Sequence, residues 1–187
     1  MVSEKRFRDQ QELAAWLRGQ GVNEAAWGLA GAKSLNDLWH EYNLGEITFD
    51  DDPPARHVRV VQIILTRGED RLLEIAQEFG DGRTRRRLMP PSEKLLAGES
   101  ARTAAHRCLF EELNLGPAEA HFLTAHADVQ ETESNSPSYP GLRTRYTIYT
   151  FQVAAPGLPA GEFWRDNKAA AMGDPVKRHL FGWRRVA

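Results

Sequence analysis

The sequence predicts an α/β domain, an α/β/α sandwich built on a mixed sheet, preceded by a helical extension. Three observations carry that prediction. Residues 1–48 hold apolar stripes of helical period, residues 49–187 are dominated by strand-like runs, and one well-capped short helix sits among those strands. The domain boundary is therefore expected at residues 48/49. At 187 residues, 41% hydrophobic and 27% charged, the chain suits one globular domain with an appended subdomain. A formal net charge of −2 gives no argument for general nucleic-acid binding or for an anionic membrane surface. The single cysteine excludes an internal disulfide framework and fits a reducing compartment. No apolar run is long enough to span a bilayer and the N-terminus lacks a signal-like apolar segment, so cytoplasmic residence without a membrane partner is expected.

In chain order, Ser3 is placed to cap a first helix whose Phe7, Leu13, Ala14 and Leu17 form a stripe ending near Gly19 and Gly21. A second helix is expected from Ser34, with Leu35, Leu38, Trp39 and Tyr42 on one face and Gly45 beyond its end. Trp16, Trp27 and Trp39 crowd this segment. They read either as a partner-binding or base-stacking surface or as packing against the main sheet. The acidic, proline-containing stretch Phe49 to Pro54 is expected as a turn. His57 to Thr66 alternates and then becomes continuously apolar, as a central strand does. Arg71 to Phe79 is its return strand, and Arg83 to Leu88 is a further one. Ala120 to Val129, Leu142 to Val153 and Leu180 to Val186 read as strands, with Glu131 to Gly141 as a mobile loop between two of them.

The informative stretch is Pro91 to Leu115, PSEKLLAGESARTAAHRCLFEELNL. Ser100 can cap a helix through its hydroxyl, and Asn114 suits the left-handed residue that ends one. Ala104, Cys108, Glu111 and Glu112 share a stripe between them. Two adjacent carboxylates at the C-terminal end of an apolar helix oppose the helix dipole, and a divalent cation would relieve them.

This segment resembles the Nudix box, G-x5-E-x7-R-E-U-x-E-E-x-G-U, where U is bulky and aliphatic. Glu99, Arg107, Leu109, Glu111, Glu112 and Leu115 match it, and Lys94 and Gly98 match commonly occupied positions. Glu93 stands where the first Gly belongs, Cys108 replaces the Glu after the Arg, and Asn114 replaces the last Gly. The resemblance implies a Nudix-type sandwich and a metal-dependent hydrolase of a nucleoside-diphosphate-linked substrate. It implies that Glu111 and Glu112 hold Mg²⁺ or Mn²⁺, with Glu99 and Arg107 bracing the loop and helix. Oxygen donors suit these hard cations. A thiol at 108 is a poor ligand for Mg²⁺ and no substitute for a carboxylate base, so reduced or atypical activity is expected. Glu93 either compensates for the missing carboxylate or marks a site released from catalytic constraint, and it would be strained if its backbone needed a positive φ.

Lys94, Arg85 and Arg87 are candidate substrate contacts, since guanidinium groups grip phosphate through two parallel hydrogen bonds. A solvated strand edge is the competing reading for the arginines, and alternation puts Arg83, Arg85 and Arg87 on one face. Tyr146, Tyr149, Phe151 and Trp183 could stack on a base or fill the core. The expected partner is a nucleotide or nucleotide sugar, with a homodimer admitted as the assembly. Two other readings stay open: a catalytically inactive module that binds a nucleotide or sugar-phosphate as a sensor, and an interaction protein that works through its N-terminal helices.

Overall fold

The computed structural model describes residues 4–29, 31–136 and 138–186. The chain forms two compact units, each assembled from separate stretches. One holds residues 1–60, 94–99 and 130–148, and the other holds 61–93, 100–129 and 149–187.

In the first unit, strand β1 (Glu4–Lys5) pairs antiparallel with β2 (Ile47–Asp51), which pairs antiparallel with the start of β3 (Pro54–Arg67). Helix α1 (Gln10–Gly19) begins later than the sequence suggested. Asp9 caps it by accepting from the Glu12 N–H at 2.8 Å, whereas Ser3 lies outside the described residues. Helix α2 (Leu35–Asn43) starts at Ser34 as expected, with a reciprocal capping box to Asp37. The expected stripes face inward: Leu13, Leu17 and Leu38 are wholly buried in a cluster with Phe7, Trp27, Ile47, Phe49, Val58, Tyr139 and Leu142.

The tryptophans belong to that packing. Trp27 donates through Nε1 to the Pro140 carbonyl at 3.0 Å, Trp16 donates to Asp51 Oδ1 at 3.0 Å, and Trp39 stacks on Tyr42. Gly45 follows α2 with φ +71, and a Cβ there would stand 2.6 Å from the Ala97 Cβ. Its hydrogen side chain lets the extension lie directly on residues 94–99. Strand β2 overlaps the stretch expected as a turn at residues 49–51, because Ile47 and Phe49 fill this core while Asp50 is half-buried and Asp51 exposed.

In the second unit, the end of β3 turns at Gly68 into β4 (Asp70–Phe79). Strand β4 pairs antiparallel with β5 (Thr84–Met89) and with β11 (Val176–Arg185), and β11 pairs antiparallel with β10 (Phe163–Asp166). The short β6 (Ser92–Lys94) precedes helix α3 (Ala101–Leu113). Strand β7 (His121–Phe122) pairs with the end of β9 (Arg143–Ala154).

The α/β fold is thus as expected, with helices and a large, mainly antiparallel β structure. Three local differences stand out. The run Ala120 to Val129 is broken after Phe122. Strand β8 (Asp128–Asn135), with every residue exposed, takes in residues 131–135 of the stretch expected as a loop. Strand β10 was not foreseen. No helix among the described residues is long and apolar enough to cross a membrane.

Candidate active site

Helix α3 begins and ends as its sequence dictates. Ser100 Oγ accepts from the Thr103 N–H at 3.1 Å, and Asn114 takes φ 56 and ψ 37. Among the described residues Asn114 is the one non-glycine with positive φ, so the Glu at position 93 carries no left-handed strain. Within the first unit, the Leu96 N–H donates to Glu99 Oε2 at 2.9 Å and Arg59 donates to the Leu96 carbonyl at 2.9 Å. The segment that leads into the helix is therefore tied both to itself and to β3. Gly98, with φ +73, supplies the turn inside it.

Lys94 lies in a buried ionic cluster of the first unit. Its Nζ is 2.7 Å from Glu46 Oε2 and 3.0 Å from Glu41 Oε1. Glu41 is also met by Lys33 Nζ at 2.6 Å and by the Tyr139 hydroxyl at 3.0 Å, and Arg56 Nη1 lies 3.8 Å from its other oxygen. Burial would raise the Glu41 pKa, but the surrounding cations outweigh it and lower the carboxyl to about 2. The Lys94 ammonium is thus committed to carboxylates.

In the second unit, α3 places Arg107, Cys108, Glu111 and Glu112 together. Arg107 Nη1 reaches Glu111 Oε2 at 3.3 Å, one turn on, and Glu93 Oε2 at 3.6 Å. Glu111 and Glu112 are both buried, only 7% and 8% exposed, although nothing in a solvated helix face would require it. The Glu112 Oε2 atom is closed from solvent and has no hydrogen-bond partner. Burial, then the negative charges of Glu74 and Glu93, push its carboxyl well above the ordinary range, with Arg87 only partly offsetting them. Cys108 is fully buried, and burial followed by the Glu112 and Glu93 charges drives its thiol upward as well. A thiol held neutral and closed from solvent in this way is a poor nucleophile.

Two residues that sequence reasoning missed complete this environment. Glu74 on β4 is 2% exposed and His179 on β11 is 3% exposed. Glu74 Oε1 lies 2.6 Å from His179 Nδ1, while Glu74 Oε2 pairs with Arg87 Nε at 3.0 Å. His179 Nε2 is buried without a partner. An unmet buried polar atom costs about 1–3 kcal/mol, so the orphaned Glu112 and His179 atoms both call for an occupant. A carboxylate inside the apolar run Leu72-Leu73-Glu74-Ile75 was the available signal. Arg85, beside Arg87 on β5, donates through Nε to Gln77 Oε1 at 3.1 Å. Arg85 and Arg87 thus each meet a side chain of the neighbouring strand β4. Phe151 packs edge-on against Phe122, and Trp183 is covered by Arg67 at 4.3 Å with its Nε1 on the Pro159 carbonyl. Both rings are engaged in packing.

Among the described residues no three carboxylate, imidazole or thiol groups converge to hold a metal by themselves. The donor chemistry nonetheless fits a hard divalent cation. Mg²⁺ commonly takes one or two carboxylates and fills its remaining positions with water and substrate phosphate. The partnerless oxygen of Glu112, whose carboxyl is disfavoured as an anion by burial and by the charges of Glu74 and Glu93, is the atom that such an ion would relieve.

The NUDIX domain family profile matches residues 56–172. The protein belongs to the Nudix family. The matched range contains the whole box-like segment, and Glu74 and Arg87 with it. Solved structures similar to the chain include a NUDIX hydrolase from Nitrosomonas europaea, with 20% identity and a TM-score of 0.40 over 66% of this chain and 71% of that one. An Ap4A hydrolase from C. elegans matches at 14% identity and a TM-score of 0.37, over 68% and 79%. A third, an ADP compounds hydrolase, matches at 18% identity and a TM-score of 0.34, over 73% and 67%. No curated protein matches the chain.

Proposed function

We propose that this Nudix protein is a hydrolase dependent on Mg²⁺ or Mn²⁺ that cleaves a diphosphate linked to a nucleoside or similar group, with residues 49–187 as its catalytic part. The observation that supports this most is the Glu112 carboxylate. It sits at a box position, is buried, lacks a partner for one oxygen and is crowded by like charges. Burying an unpaired carboxylate is costly, and evolution rarely keeps one without a counter-charge. Glu112, with Glu111, would hold the metal. Bound there, it would supply Lewis acidity toward the diphosphate and lower the pKa of a bound water.

The remaining roles follow from how each side chain is held. Arg107 orients Glu111 and Glu93. Glu99 closes the segment before the helix. Lys94, engaged with Glu41 and Glu46, serves as an anchor of that segment more than as a substrate contact. Arg85 is the better phosphate contact, because its neutral partner Gln77 leaves its charge uncompensated, whereas Arg87 is neutralised by Glu74.

One observation favours a second reading, a nucleotide-binding module without turnover: the box position that carries a carboxylate in the family holds a fully buried, neutral thiol. A thermal-shift screen of nucleotides and nucleotide sugars, with and without Mg²⁺ or Mn²⁺, followed by product analysis of every hit, separates the two. The hydrolase reading predicts ligands that stabilise only with metal and are cleaved. Ligands that stabilise and stay intact would leave the binding module.

A further inference from the structure

The box of this protein lacks the carboxylate at 108, yet the second unit holds a different acid–base pair, Glu74 and His179. We infer that His179, oriented by Glu74, is the proton acceptor for the attacking water, in the place of the carboxylate lost at position 108. The inference rests on the hydrolase reading.

Its basis is the geometry of three side chains. Glu74 is bonded on both oxygens: Oε2 to the Arg87 guanidinium at 3.0 Å and Oε1 to His179 Nδ1 at 2.6 Å. A carboxylate that meets an arginine on one oxygen and an imidazole nitrogen on the other accepts from both. In the neutral imidazole the proton therefore sits on Nδ1, which donates it to Glu74, and Nε2 is the accepting nitrogen. That same Nε2 is buried and has no partner. A buried imidazole whose tautomer is fixed by a carboxylate, with its basic nitrogen kept vacant, is an arrangement suited to taking a proton. Packing beside Phe181 accounts for a partner on Nδ1 but not for a second ring nitrogen that is buried without one.

Glu74 is one of the negative neighbours felt by both Glu112 and Cys108, so its charge acts on the helix positions from which the family's carboxylates work.

The step balances without further reagents. The water oxygen bonds to phosphorus while the bridging P–O bond breaks, and its electron pair leaves with the departing phosphate oxygen. The water's proton goes to Nε2. The imidazolium so formed stays hydrogen-bonded to Glu74, and the proton then passes to the leaving phosphate or to solvent. In this division His179 is the catalytic residue, and Glu74 and Arg87 are positioning residues.

Two measurements test the pair. Long-range proton–nitrogen spectroscopy of the wild-type histidine side chains should show His179 protonated at Nδ1; a proton on Nε2 overturns the inference whether or not the protein turns over. In kinetics on a diphosphate that the wild type cleaves, His179→Gln keeps a hydrogen-bonding side chain but cannot accept the proton. It should lower kcat about a hundredfold, with KM changed by no more than a few fold. Adding Cys108→Glu to that variant restores a box carboxylate and should recover tenfold or more. A kcat within threefold of wild type in His179→Gln, an equal loss of binding and turnover, or no recovery in a folded double variant contradicts the assignment. A wild type that cleaves none of the diphosphates it binds sinks the hydrolase reading and the base with it; a wild type that cleaves but is indifferent to His179 sinks the base alone.

Discussion

At the scale of single residues, the metal-free protein carries a defect at Glu112 that a cation should cure. Its carboxyl is held above the ordinary range in the folded chain, chiefly by burial and then by Glu74 and Glu93. Above about pH 4.5 the unfolded chain releases this proton while the folded chain retains it. Stability without metal should therefore be fullest below that pH and should fall as pH rises toward the folded-state pKa. Glu112→Gln should remove this decline and raise the metal-free melting temperature near pH 8 by a few degrees, measured by calorimetry across pH. A variant that melts below wild type at pH 8 and keeps the slope would contradict the assignment. The residues of the box were legible because their roles are local: a cap, a left-handed stop and a spacing on one helix suffice to find them. Glu74 and His179 were not, because they lie 105 positions apart and meet only through the pairing of β4 with β11. Nothing local in either strand announces the other.

At the scale of elements, the ionic cluster around Glu41 ties the extension to the segment before the box helix, inside the first unit. Glu41 lies on α2, Glu46 follows it, and both hold Lys94. Removing one partner of a buried charge cluster leaves the others uncompensated, so Glu41→Gln should destabilise by about 3–5 kcal/mol in urea unfolding. A loss under about 1 kcal/mol would show that the cluster is solvated in solution. Because the Glu41 pKa is lowered to about 2, the stability it contributes is present above about pH 4.5 and is lost as pH falls toward 2. Helix stripes, caps and long apolar strands were readable here, since burial imposes a period on sequence. Strand β8 was not, because all eight of its residues are exposed and its composition, DVQETESN, resembles a loop. Its pairing with β9 overrides that weak local preference. The start of α1 was misplaced for a related reason: Phe7 belongs to the core but reaches it from the extended segment before the helix.

At the scale of the whole molecule, the N-terminal helices complete a core. Phe7, Leu13, Leu17 and Leu38 share one cluster with Ile47, Phe49 and Val58 of the sheet and with Tyr139 and Leu142, far along the chain. Deleting residues 1–45 should yield an insoluble or unfolded product, because that face of the remaining chain would be stripped. A soluble truncation that melts at the same temperature would mark the helices as a separate module. The central claim, that the buried carboxylates of the box helix await a divalent cation, is tested most directly by titration calorimetry of Mn²⁺ into the wild type and into Glu112→Gln. Saturable binding to the wild type and a loss of affinity of at least tenfold in the variant are expected. Equal affinity in the two proteins, or no binding in either, would contradict it.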